Sequence, residues 1–204
     1  MAVKSNLTNM VLVLGLTCLF CSAVLGGAYV ITKEPIQKAA AEKQNRAIAQ
    51  VLPHFTDLEY NADGHYYKAT DGENLVGYAI ESSTVGFGGT LSLMVGITPD
   101  GVVYNSSVLS HSETPGLGAK CTTDGKFMDQ WRGFDASLKK LSVSKDGGDV
   151  DAITASTITS RAYTQAVANA LDTFKEIAGQ AGNDVCVMPD PDRASDNEGG
   201  QDNE

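Results

Sequence analysis

The chain has 204 residues, 42% of them hydrophobic, and a formal net charge of -10. That is enough apolar material for one ordinary domain with a core plus appendages, and two compact domains are not expected, because both ends look non-globular. The acidity argues against nucleic acid as a partner, because a phosphate backbone needs a basic face.

No charged residue interrupts Met10 to Ile31. At ~1.5 Å per residue, a helix of that length crosses a hydrocarbon core of ~30 Å. Gly15, Gly26 and Gly27 suit close helix contacts, and Tyr29 suits the interface. The competing reading is a cleaved signal peptide, with Lys4 as its charged region and Gly26-Gly27-Ala28 as its cleavage site. The length of the apolar run favours a retained anchor. Cys18 and Cys21 share one helix face. They read either as small side chains facing lipid or helices, or as ligands of an iron–sulfur centre shared with a partner protein. Basic residues flank both ends of the run, so charge alone does not orient it.

Ile36 to Leu52 predicts a second helix, begun after Pro35 and closed by Pro53. Asn74 to Thr84, Leu91 to Thr98 and Val102 to Ser110 predict three strands. Gly86-Phe87-Gly88-Gly89 joins the first two, and Pro99-Asp100-Gly101 turns a hairpin between the last two. A loop, His111 to Lys120, follows. Asp124 to Trp131 predicts a short helix with Phe127 and Trp131 on one side; Trp131 and Phe134 read as core. Leu138 to Val143 predicts a strand before the Asp146-Gly147-Gly148-Asp149 turn. Ala162, Ala166, Val167, Ala170, Leu171, Phe174 and Ile177 then recur at helical spacing. The predicted fold is α+β: an N-terminal transmembrane helix, then one domain with an antiparallel sheet and packed helices.

From Pro189 to Glu204, six acids face one base, Arg193, which reads as a solvated tail. Cys121 and Cys186 could bond in an oxidising compartment. With three histidines and no repeated CxxC, no metal site is expected. No G-x-G-x-x-G follows a strand, so no dinucleotide site is expected.

Five hydroxyls crowd the start of the last helix: Thr154, Ser156, Thr157, Thr159 and Ser160. One or two serve as caps, since Ser and Thr accept a free backbone N–H. The rest exceed that need. A helix start also favours phosphate, through open N–H groups and the positive end of its dipole.

Asp151-x-x-Thr154-x-x-Thr157, followed by Thr159-Ser160, resembles the D-x-x-S/T-G-A-T flavinylation motif of covalent FMN-binding domains. His111-Ser-Glu-Thr-Pro-Gly-Leu-Gly-Ala-Lys120 is similar to a second motif of that family, as is Gly86-Phe-Gly-Gly with Leu93-Met-Val-Gly-Ile-Thr98. In this order, behind an anchor, they resemble the G subunits of Rnf/Rsx-type ion-translocating electron transport complexes. The C subunits of sodium-pumping quinone reductases are a related case. The resemblance runs to about residue 180.

It implies FMN esterified through its phosphate to Thr157, installed by a flavin transferase that draws on FAD. It implies cofactor contacts from Asp151, Thr154, Ser156, Glu113, Thr114, Leu117 and Gly118, and no catalytic residue or metal in the chain itself. Ala155-Ser156 stand where the motif usually has Gly-Ala, which makes Ser156 a rival acceptor. The implied protein is an electron-carrying redox subunit, not catalytic alone. It works with other membrane subunits between ferredoxin and NAD, in an inner membrane, with its domain on the periplasmic side. The implied organisation is an anchor at 1–32, a juxtamembrane helix at 33–53, the FMN-binding domain at 54–186 and an acidic tail at 187–204. The alternative is a membrane-tethered, non-redox binding or assembly module that has lost flavin.

Overall fold

The computed structural model describes residues 7–62 and 64–184. Helix α1 runs Leu7–Val51, 45 residues, with Pro35 inside it. The sequence predicts a break there, since a proline in a helix lacks an N–H and its ring meets the carbonyl four residues back. The helix instead continues, because strong helix formers flank the proline and outweigh its cost of ~3 kcal/mol. Residues up to Ala47 form one unit, and the chain from Ile48 belongs to a second. In the first, the apolar stretch is exposed throughout and is long and apolar enough to cross a membrane.

The second unit is built on five strands: β1 Asp57–Asn61, β2 Tyr66–Asp71, β3 Asn74–Val85, β4 Thr90–Ile97 and β5 Val103–Ser110. They pair in sequence order, every pair antiparallel. Two helices follow. α2 is Gly125–Asp129, where the Asp124 carboxylate accepts the N–H groups of Lys126 and Phe127. α3 is Thr157–Asp184.

Side-chain alternation divides the sheet. Tyr78, Ile80, Leu91, Leu93, Val95 and Ile97 pack with Ala162, Tyr163, Ala166, Val167, Ala170 and Phe174 of α3 in one core. On the opposite face a Cβ at Gly96 would collide with the Val51 carbonyl, so glycine there lets residues 48–52 lie on the sheet. Trp131 and Phe134 are buried in the core. Trp131 stacks on Tyr163 with ring centres 5.2 Å apart, and the Tyr163 hydroxyl meets Ser106 Oγ at 2.9 Å.

Three differences from the sequence reading have physical causes. Leu138 to Val143 is no strand; Val143 makes only an isolated parallel bridge with Val150. The Lys140 N–H donates to the Asp149 carboxylate and its carbonyl accepts the Asp149 N–H, so the segment closes a local loop. β1 and β2 escape the pattern because β1 is nearly all exposed and lacks an alternating apolar face. α3 starts at Thr157, before the first apolar helical position, because Ser156 begins the helical bonding. Cys121 is buried and free, and burial pushes its thiol up to about 11. Cys186 and the acidic tail lie outside the described residues.

Candidate functional site

The start of α3 is wound by its own hydroxyls. The Ser156 N–H donates to the Ile153 carbonyl at 3.0 Å. The Ser156 carbonyl accepts both the Ser160 N–H and the Ser160 hydroxyl, each at 3.0 Å. Ser160 Oγ in turn accepts the Ile153 N–H at 2.9 Å. This reciprocal pattern fixes the turn in which Ala155 takes a left-handed φ of 62°. Helix geometry leaves the N–H groups of Thr157, Ile158 and Thr159 without intrahelical acceptors. Together with the dipole they make an anion-friendly end.

That end forms one wall of a cavity of about 350 Å³, lined by Ala155, Ser156, Thr157, Ile158 and Thr159 on one side and by Phe87, Glu113, Thr114, Leu117 and Gly118 on the other. The volume falls within the range of small-molecule sites.

Glu113 holds the walls together. Its Oε1 accepts the Phe87 N–H at 2.8 Å and the Gly88 N–H at 3.3 Å. Its Oε2 accepts the Thr159 hydroxyl at 2.8 Å. A Cβ at Gly86 or Gly118 would run into this carboxylate, which is why both positions are glycine. The buried carboxylate is thus satisfied by the β3–β4 turn and α3.

Six of the eight residues expected at the cofactor therefore line one cavity: Glu113, Thr114, Leu117, Gly118, Ser156 and Thr157. Glu113 meets it as a wall rather than as a free acceptor. Thr154 and Asp151 lie instead at a neighbouring depression of about 290 Å³, with Asp124, Lys126 and Lys145. The Asp151 carboxylate is 3.7 Å from Lys126 Nζ. The Gln130 side chain holds the Asp151 backbone, accepting its N–H at 2.8 Å and donating to its carbonyl at 3.2 Å.

Sequence reasoning missed Ile158, Thr159 as a partner of Glu113, and Lys145. Lys145 Nζ donates to Thr157 Oγ1 at 2.9 Å. It stands in the 3₁₀ turn Ser144–Asp146, which Asp146 pins to α3 through two 2.7 Å bonds from the Arg161 guanidinium. Arg161 holds the Asp146 carboxyl below its usual range, and Asp146 raises Arg161 in return. No spacing rule links a lysine in such a turn to a threonine twelve residues on.

The donor set fits FMN at both ends. Open N–H groups and hydroxyls stand where a phosphate would sit. Phe87, Leu117 and Ile158, all exposed at the cavity, offer apolar surface to a flat ring.

A family profile described as an FMN-binding domain matches residues 86–172. The chain is 34% identical over 184 residues to the G subunit of an ion-translocating oxidoreductase complex of Methanosarcina acetivorans, covering 84% of this chain and 96% of that one. It is 32% identical over 183 residues to the G subunit of a proton-translocating ferredoxin:NAD(+) oxidoreductase complex of Clostridium ljungdahlii, covering 87% and 93%. Among solved structures it is similar to NqrC of Shewanella oneidensis, at a TM-score of 0.47 and 20% identity over 66% of this chain and 73% of that one.

Proposed function

We propose that this chain, which belongs to the family of G subunits of ion-translocating oxidoreductase complexes, carries FMN as a phosphoester of Thr157. Membership makes it a flavin-binding component of a multi-subunit redox complex. The covalent link is the further step. The observation that carries it is the position of Thr157: first residue of α3, half-buried, lining the cavity beside three open backbone N–H groups.

FMN, when bound, supplies one- and two-electron transfer between donors and acceptors. The chain's residues do the rest. The N–H groups of Thr157, Ile158 and Thr159 would receive the phosphate. Phe87, Leu117 and Ile158 would offer apolar surface to the ring, and the Thr114 hydroxyl, at the cavity and exposed, would offer it a polar partner. Thr154 and Asp151 act by shaping the turn before α3 and by presenting the motif to the flavin transferase, which draws FMN from FAD. Residues 1–32 anchor the chain in an inner membrane, with the domain, residues 54–186, on the periplasmic side. The complex moves electrons between ferredoxin and NAD, coupled to ion movement, through its other membrane subunits.

The test is direct. The full chain is co-expressed with a flavin transferase and run on a denaturing gel. A fluorescent wild-type band and a dark Thr157→Ala band are expected. Fluorescence surviving Thr157→Ala moves the ester elsewhere, with Ser156 first to examine. A dark wild-type band leaves the non-redox tethered module. Protease added to spheroplasts reads the side of the membrane: cleavage of the domain is expected, and protection refutes a periplasmic placement.

A further inference from the structure

Resting on the Thr157 reading, we infer that Lys145 is a catalytic group of the attachment step, activating the acceptor hydroxyl and then serving as counter-ion to the phosphodiester. Three observations carry this. First, Lys145 Nζ donates to the reacting oxygen itself, Thr157 Oγ1, at 2.9 Å. Donation to a lone pair leaves the hydroxyl proton free to depart and stabilises the charge that develops as it goes.

Second, the charge of Lys145 is otherwise uncompensated. Among the described residues it makes no ion pair, although Asp124 and Asp151 line the same depression and Asp146 is its chain neighbour; the Asp124 carboxylate caps α2. Asp146 is taken by Arg161 at 2.7 Å and Asp151 by Lys126 at 3.7 Å. The Asp149 carboxylate accepts the Lys140 N–H at 2.7 Å. An exposed lysine with no task turns to a carboxylate or to water. This one rests on a neutral hydroxyl that would become a phosphodiester carrying one negative charge.

Third, its position is built. The turn Ser144–Asp146 is held to α3 by the two-pronged Asp146–Arg161 pair. The Ser144 N–H also donates to the Val150 carbonyl at 2.7 Å. The backbone of Lys145 is thereby carried to the first turn of α3 by its immediate neighbours.

The step balances without redox change. Thr157 Oγ attacks the phosphorus of the FMN half of FAD and forms an O–P bond. The bond from that phosphorus to the bridging oxygen breaks, and AMP leaves with that oxygen. The hydroxyl proton passes through the transferase to solvent. Lys145 keeps its own protons throughout.

The experiment uses the full chain in detergent, purified transferase and FAD, with initial rates read from in-gel flavin fluorescence. Wild type, Lys145→Met, Lys145→Arg and Thr157→Ala are compared. Lys145→Met is expected to lower kcat about tenfold while leaving KM for the chain within about twofold; the loss stays below that of a buried donor because this lysine faces water. Lys145→Arg restores kcat to within about threefold, since a guanidinium keeps the charge and the donor. Urea midpoints of the unmodified proteins agree. A bright wild type, a dark Thr157→Ala and an unslowed Lys145→Met overturn the role of Lys145 alone. So does a defect confined to KM, or an arginine variant as slow as the methionine one. A dark wild type, or a bright Thr157→Ala, overturns the Thr157 reading and the lysine with it.

Discussion

Ala155→Gly is expected to stabilise the protein, although it removes a side chain. Ala155 holds a φ of 62°, where an L-residue brings its Cβ against the following carbonyl at a cost of ~1–2 kcal/mol. Glycine removes that cost. It also widens the unfolded ensemble, which takes back ~0.4–1 kcal/mol. The methyl group is exposed, so no packing is lost with it. Taking the middle of both ranges, the net gain is about 0.8 kcal/mol. With a urea slope of ~1–3 kcal/mol/M, the midpoint rises by roughly 0.3–0.8 M. The protein provides its own probe: Trp131 is the single tryptophan and is fully buried beside Tyr163 and Phe134. Unfolding of the unmodified chain is followed by its fluorescence. A midpoint unchanged or lowered by Ala155→Gly would refute the strained turn before α3. Flavinylation of both proteins separates strain from chemistry. Alanine leaves the helix start intact, so initial rates are expected to agree within about twofold.

Further outcomes follow from the same geometry. Glu113→Ala leaves two backbone N–H groups and the Thr159 hydroxyl without an acceptor; a loss of about 3 kcal/mol or more in urea unfolding is expected, and Glu113→Gln costs less, because an amide oxygen still serves one side. Gly118→Ala forces a methyl against the Glu113 carboxylate and Thr159, so a loss of about 1–3 kcal/mol is expected by the same measurement. Asp146 stays ionised below the usual carboxylate range because Arg161 hydrogen-bonds to it. Its lowered value makes the pair favour the fold above the unfolded carboxylate value, with that contribution lost as pH falls through the lowered folded one. A carboxyl titration by NMR is expected to show this, and Arg161→Gln to return Asp146 to the ordinary range. The Cys121 thiol is buried and raised to about 11; peptide mass mapping after alkylation at pH 8 is expected to find it unmodified in native protein and modified in urea.

Legibility in the sequence followed the physics of each segment. β3, β4 and β5 were readable because they carry β-rich runs separated by glycine and proline turns. β1 was not, because its exposed face shows no alternation; its pairing with β2 supplies what its composition lacks. Thr157 could be named from the sequence because its motif is local, ten residues from Asp151 to Ser160 at the entry to one helix. Lys145 was hidden because its contact depends on a clamp between two side chains, Asp146 and Arg161, that no periodicity announces. Glu113 is expected to contact the flavin, as the resemblance implies; the structure adds a difference in its role, since its oxygens accept the Phe87 and Gly88 N–H groups and the Thr159 hydroxyl.

That difference bears on how the site works. Among the described residues Glu113 makes no ion pair, so backbone dipoles and one hydroxyl carry its buried charge. Such a group tolerates little movement, because shifting any partner leaves a charge undersatisfied in a low dielectric. The β3–β4 turn, the 111–118 loop and the first turn of α3 are therefore held in register before any flavin arrives. A cavity fixed in this way costs the ligand no reorganisation on binding. The apolar walls and the proposed acceptor are then set by different devices. Glu113 spaces the walls through Phe87, Gly88 and Thr159, while the α3 start and Lys145 hold Thr157 Oγ1, the proposed acceptor oxygen. Substitutions at Glu113 should disturb both the fold and the seating of the ring. Substitutions at Lys145 should disturb only the making of the bond. Finding both defects in a Lys145 variant would mean that the two devices are one.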